Sequence, residues 1–370
     1  MSSQASAASG VPASRIVRTG QKGIGNPISE FSALLNTVRD AGLLRRRTGF
    51  YITTFAVITL AFVGTWVAFA FLQESWFILI VAAVLGIIFT QYAFLGHEAA
   101  HRQVFESGKA NELSGRILAD FFVGMSYSWW MHKHTRHHGN PNTDTKDPDI
   151  EPDFIVFQEK DAAPLTGLSA WFTRRQGWFF LPALLLEGIN LHRLAYSTVF
   201  SRKKVDKRAF SIVLLSIRNV AYLSVVFYFL PLGMAFAFLG VQLAVFGLYM
   251  GTSFAPNHIG MRILPADSKV DFLRRQVLTS RNVTGGWVMN HFMGGLNYQV
   301  EHHLFPSMPR PHLRKANEIV KEYCLARDIE YSENNYLDAQ AIVLAYLNKV
   351  GLVAGSKSWS CPEAQAFGRS

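Results

Sequence analysis

Residues 51–72 carry no charged side chain, only apolar residues relieved by a few threonines and one glycine. A helix rises about 1.5 Å per residue, so about 20 residues cross a bilayer core of about 30 Å. In lipid the backbone must satisfy its own polar groups, which makes an apolar run of this length a helix. Residues 76–95 repeat the pattern after the polar turn Gln73-Glu74-Ser75, and residues 209–230 and 234–254 form a second pair around Pro231-Leu232-Gly233. The sequence therefore predicts an all-α integral membrane protein with four transmembrane helices in two hairpins.

Basic clusters set the orientation. Arg45-Arg46-Arg47 precedes the first span, and Arg202-Lys203-Lys204 with Lys207-Arg208 precedes the third. Basic residues stay on the cytoplasmic side, so both hairpins are expected to begin and end there, in the cell membrane if the source is bacterial. These clusters and anionic lipid headgroups explain the formal charge of +10 better than a nucleic-acid partner does. Two cysteines, Cys324 and Cys361, leave no disulfide framework and no Cys-based zinc or iron–sulfur site.

Residues 1–26 are rich in Ser, Ala and Gly and lack an apolar h-region, so a flexible cytoplasmic N-terminus without a cleavable signal is expected. From 27 to 47 apolar residues recur at helical spacing, predicting an amphipathic helix on the membrane surface. The plainer alternative is a surface helix of the water-facing part. Residues 27–325 read as one membrane domain and 326–370 as a C-terminal cytosolic extension, with amphipathic helices near 313–325 and 337–347. No internal repeat is visible.

Two further stretches are apolar but interrupted. Arg116 and Asp120 make 111–130 a buried or interfacial helix rather than a span. Glu187, Asn190, His192 and Arg193 make 177–200 a helix embedded at the cytoplasmic interface, with His192 structural. Arg218, about 15 Å into the third span, must face the bundle interior or snorkel.

The histidines lie between the spans in compact groups. His134, His137 and His138 are spaced H-x2-H-H, and positions i, i+3 and i+4 share one helix face. His97 and His101 stand one turn apart in Gly-His-Glu-Ala-Ala-His, and Gln299, His302 and His303 form Q-x2-H-H. His258 ends the fourth span. Imidazole suits iron, zinc, copper and nickel. A catalytic zinc site needs three protein ligands and an open position, so eight positions fit two ions with nitrogen-rich, incomplete shells. A helical cytosolic cap holding a di-metal site follows.

H-x3-H, H-x2-H-H and Q-x2-H-H, in that order around two hairpins and closing with His303-Leu-Phe-Pro306 and Pro309-Arg310, resemble the membrane fatty-acyl desaturase family. The resemblance covers about residues 34–325. It implies two Fe ions and dioxygen as co-substrate, with removal of two hydrogens from adjacent methylenes to leave a cis double bond. It assigns His97, His101, His134, His137, His138, His302 and His303 as ligands, with His258 the extra histidine after the fourth span. Asn142, Asp144, Asn257, Gln299, Trp130 and Tyr298 are candidates for supporting the ligands or touching substrate, and Asp147 and Asp149 share the acidic loop with Asp144. Gln299 departs from the all-histidine form and does not fix the double-bond position.

No His-Pro-Gly-Gly haem motif occurs, so the resemblance implies electrons from a separate ferredoxin-like or flavin-dependent NAD(P)H reductase system. The substrate implied is a fatty acyl-CoA or an acyl-lipid, among membrane lipids. Arg102, Lys133 and Arg136 could meet an acidic donor or coenzyme A phosphates, or simply be solvated. A hydroxylase or ketolase on the same scaffold is the nearest alternative. His97-Glu98-Ala-Ala-His101 also matches H-E-x-x-H, a zinc peptidase pattern, which leaves the other boxes unexplained. A divalent-metal carrier is disfavoured because the histidines lie outside the spans.

Overall fold

The computed structural model describes residues 27–202 and 204–356. The expected flexible segment 1–26, Lys203, Cys361 and the end of the C-terminal extension lie outside the described residues. Four helices are long and apolar enough to cross a membrane: α2 (Thr48–Leu72), α3 (Ile78–Ala100), α9 (Arg208–Phe229) and α10 (Leu232–His258). Earlier in the chain come α1 (Pro27–Asp40), α4 (Gly108–Arg116), α5 (Tyr127–Gly139), two short helices α6 (Glu159–Ala162) and α7 (Gly167–Thr173), and α8 (Gln176–Val199). The later elements are α11 (Phe272–Leu278), β1 (Asn282–Thr284), α12 (Gly286–Phe292), α13 (Gln299–Leu304), α14 (Arg310–Leu325), β2 (Glu333–Asn335) and α15 (Tyr336–Leu352). β1 and β2 pair in parallel, Val283 opposite Asn334.

The α3 and α10 helices form the centre. A Cβ on Gly86 of α3 would stand 2.8 Å from the Gln242 carbonyl of α10, so the two backbones nearly touch. On the other side α8 crosses α10 at Gly188 and Gly247, where a Cβ on Gly188 would meet the Leu243 carbonyl at 2.2 Å. Small residues permit this close approach, as in membrane helix pairs generally. The outer helices α2 and α9 expose Leu60, Phe71, Val220 and Tyr228, the apolar surface a lipid environment tolerates.

The predicted helix over 111–130 is broken. A π-helical turn, Ile117–Val123, follows α4 and ends at Gly124 with φ 87°. The buried Asp120 carboxylate accepts from Tyr127 N–H and Ser211 Oγ, each at 2.7 Å, and so fixes the break. Arg116 is buried against Glu112 and Asp206. Arg218 does face the interior, its guanidinium 4.5 Å from the Tyr222 ring centroid and hydrogen-bonded to Asn219.

Helix α1 corrects the membrane-surface expectation. Leu34 and Val38 are fully buried among residues of α11, α13 and α14, and Glu30 pairs with Arg274 at 2.7 Å. Each such side chain gains about 1.5–3 kcal/mol by leaving water, and protein rather than lipid supplies the cover. Helix α15 packs on α8 and α10 through Val343 and Leu347, which joins 336–352 to the body of the membrane helices. As expected, α8 is a helix with an apolar face, exposing Trp178, Leu186 and Ile189. His192 Nδ1 lies 2.7 Å from the Gly188 carbonyl, a structural bond within that helix.

Candidate metal centre

Four helices deliver the histidines to one place. Helix α3 continues past its apolar run, so His97 lies on it and His101 caps it. Ser126 caps α5, accepting from Trp129 N–H at 3.3 Å, and that helix presents His134, His137 and His138. The end of α10 supplies His258 and α13 supplies Gln299, His302 and His303. The turn before α13 depends on Gly294 and Gly295, with φ 59° and 85°. A Cβ on Gly294 would collide with Phe94 at 2.4 Å, so only glycine lets this turn pass beneath α3.

The rings gather as two groups. His97, His101, His134, His138 and His302 form one, and His137, His258 and His303 the other, with donor atoms in each within 4.8 Å of one another. His138 and His303 stack at 4.2 Å between ring centroids, which joins the groups. Nε2 atoms stand 3.1 Å apart for His97 and His134, 2.8 Å for His101 and His134, 3.2 Å for His138 and His302, and 3.3 Å for His137 and His258. Donors bound to one ion at about 2.1 Å and at right angles stand about 3 Å apart. The spacing therefore fits nitrogen donors shared around metal ions.

Hydrogen bonds at the far nitrogen orient the smaller group. His137 Nδ1 faces Asp147 at 3.0 Å, His258 Nδ1 faces the Thr279 carbonyl at 2.9 Å, and His303 Nδ1 faces Gln276 Oε1 at 2.9 Å. With each Nδ1–H donating outward, each Nε2 lone pair points inward. His303 Nε2 is buried with no protein partner, as a ligating atom would be. Burial holds His101 down at about 3, and burial with neighbouring imidazoles holds His134, His138, His302 and His303 well below the usual range. Neutral rings are the form that binds metal. Burial pushes His137 down too, but Asp149 and Asp147 outweigh it and leave its proton affinity raised.

Other candidate positions divide. Asn142 donates to the His258 carbonyl at 2.9 Å, and its backbone N–H to Asp147 at 2.7 Å. Asn257 donates to Gln299 at 3.2 Å, and Gln299 Nε2 lies 2.8 Å from His258 Nε2. Trp130 stacks on His134 at 4.2 Å. Asp144 turns away, bound to Lys160 Nζ at 2.6 Å and to Gln158, because the loop aims Asp147 at the rings instead. Tyr298 also departs, packing among Leu313-side residues of the α1, α11 and α14 core. Lys133 pairs with Asp149 and Arg136 with Glu151, whereas Arg102 is exposed and has no carboxylate partner among the described residues. Gln276 and Thr279 escaped sequence reasoning, since nothing in their neighbourhood marks them.

A narrow apolar slot runs beside the larger group, walled by Ala93, Gly96, Ala119, Val123, Met250 and Phe254 together with His97 and Trp130. It is a cavity of about 40 Å³, and the His97 ring forms part of its wall. Glu98, by contrast, is held by the buried Arg310, with Oε1 accepting from Nε at 2.7 Å. It is thus engaged in an ion pair and not free to act as the general base an H-E-x-x-H peptidase requires.

Residues 74–335, which include all eight candidate ligand histidines, match the fatty acid desaturase family. The chain is 28% identical over 301 residues to the Delta(8)-fatty-acid desaturase 2 of Arabidopsis thaliana, covering 75% of this chain and 65% of that protein. It is 27% identical over 284 residues to the acyl-lipid (9-3)-desaturase of Borago officinalis, covering 73% and 63%. With the Delta(6)-fatty-acid desaturase fat-3 of Caenorhabditis elegans it shares 28% identity over 349 residues, covering 87% and 75%. The chain thus spans just under two thirds of the first two relatives.

Proposed function

This chain belongs to the fatty acid desaturase family, and from that membership we propose that it introduces a cis double bond into a fatty-acyl chain. The acyl group is carried by coenzyme A or by a lipid, and electrons come from a separate ferredoxin-like or flavin-dependent reductase system. The observation that carries the reading is the convergence of eight imidazoles, as five and three, beside an apolar slot. His97, His101, His134, His138 and His302 would hold one iron, and His137, His258 and His303 the other. Bound there, the iron pair supplies activation of dioxygen.

The chain's own residues do the rest. Asp147, Thr279 and Gln276 fix three rings with lone pairs inward. The slot's apolar walls, which include His97 and Trp130, would take part of the acyl chain beside the larger group. Membrane lipid surrounds the four spans, and the basic residues before α2 and α9 favour a cytoplasmic site. Reporter fusions at Ser75 and Leu232 should then report the outside.

The test is the fatty-acid profile of a host expressing the chain, with His302→Ala as control. Acyl chains lighter by two hydrogens, absent from the control, support desaturation. Chains heavier by one oxygen would move the reading to a hydroxylase, and an unchanged profile in a host supplying the redox partner would refute both.

A further inference from the structure

Residues 282–300 carry no charged side chain, and within them lies α12, none of whose residues is buried. Seven helical residues rise about 10 Å, far short of a bilayer core of about 30 Å, so α12 is not a span. It nevertheless turns Trp287 and Val288 outward, 73% and 68% exposed. Leu337, near the start of α15, is exposed as well. The parallel strands bring these two helix starts together, because Thr284 before α12 pairs with Asn335 before α15. Large apolar side chains exposed in a cluster mark an interaction surface.

The position of α12 decides what covers that surface. Ile80, Val84 and Ile87 of α3 are exposed at spacings of four and three, which makes them one lipid-facing stripe of a spanning helix. Gln91, four residues on, is the next position of the stripe. Its Nε2 donates to the His291 carbonyl at 3.4 Å and to Tyr249 Oη at 2.7 Å, and Tyr249 donates in turn to the Phe292 carbonyl at 2.7 Å. The Phe292 ring stacks on Tyr249 at 4.7 Å. The last turn of α12 is thus fastened to α3 and α10 at residues that lie inside their apolar runs, where the lipid-facing stripe ends. Lipid therefore adjoins the side of α12 that faces away from the protein.

We propose that α12 is an in-plane membrane anchor, lying in the headgroup–acyl boundary of the leaflet on the histidine side with Trp287, Val288 and Leu337 against lipid. Tryptophan concentrates in that layer, and an uncharged helix too short to span can rest there. The glycine pairs at its ends, Gly285 and Gly286 with φ 153° and 62° and Gly294 and Gly295 with φ 59° and 85°, let the chain turn into the layer and out again. Since α13 follows directly, the segment that carries His302 and His303 is tied to the bilayer surface as well as to α3. The inference rests on the assignment of the four spans and not on the metal.

The experiment places the full chain in phosphatidylcholine nanodiscs with a nitroxide at Val288→Cys. Cys361→Ser limits labelling to one site, since Cys324 is buried. Collision of the nitroxide with oxygen, which concentrates among lipid chains, is compared with collision with a water-soluble nickel chelate. Leu60→Cys on the exposed face of α2 is the lipid reference and Lys315→Cys on α14 the water reference. The oxygen-to-nickel ratio at 288 is expected to lie several-fold above that at 315 and to approach that at 60. Trp287→Cys is read in the same way if the label at 288 prevents folding, with a thermal midpoint as the check. A ratio at 288 equal to that at 315, with 60 lipid-like, would overturn this inference alone. A ratio at 60 equal to that at 315 would refute the span assignment and the inference with it.

Discussion

Arg310 Nε donates to Glu98 Oε1 across 2.7 Å, joining the first histidine box to the residue that opens α14. Both side chains are 2% exposed. Removing one partner from a buried pair leaves an uncompensated charge and costs about 3–5 kcal/mol, whereas replacing both by apolar residues can be neutral. Arg310→Ala should therefore lose most of the folded, monodisperse protein obtained in detergent. The double variant Glu98→Leu with Arg310→Met should recover it. Failure of the double variant to improve on the single would show that the pair does more than hold α3 to α14.

The acidic loop after the second box separates two carboxylates with different duties. Asp147 is fully buried and accepts from His137 Nδ1, from Asn142 N–H and from Asp149 N–H. Loss of such an orienting group commonly weakens metal affinity about 10- to 100-fold. Asp147→Ala should shed metal in a chelator titration at correspondingly lower chelator, while Asp144→Ala, which frees Lys160 and Gln158 away from the rings, should match the parent.

Burial holds His192 down at about 4, against about 6.5 in an unfolded chain. Between these values the unfolded chain takes up a proton that the folded one refuses. Its contribution is therefore intact above pH 6.5 and is lost as pH falls toward 4, by at most about 3 kcal/mol. The thermal midpoint of the parent should drop over that window, and His192→Gln should drop less. Parallel curves for the two proteins would remove His192 from the acid sensitivity.

The spans were legible because lipid demands long uncharged helices, and no alternative satisfies the backbone there. The continuation of the second span's helix past its apolar run, which carries His97 and ends at His101, was legible in the same way. The break at 117–124 was invisible because it depends on Asp120 reaching Ser211, a contact between distant segments. Periodicity showed that residues 27–40 have an apolar face but not that α11, α13 and α14 cover it. The eight histidines announced themselves by spacing. Asp147 could not be told from Asp144, because the backbone turns at Asn142 and Thr145, with φ 45° and 59°, set which carboxylate points inward. Gln276 and Thr279 meet the rings solely through the folding of α11 against α5 and α13.

The central claim is that the two histidine groups hold two irons. Elemental mass spectrometry of gently purified protein tests it most directly, comparing the parent with a variant in which His137, His258 and His303 are all alanine. The account predicts close to two irons per chain in the parent and close to one in the variant, with the five-histidine group still loaded. One zinc per chain in the parent, or a variant that still holds two irons, would contradict it.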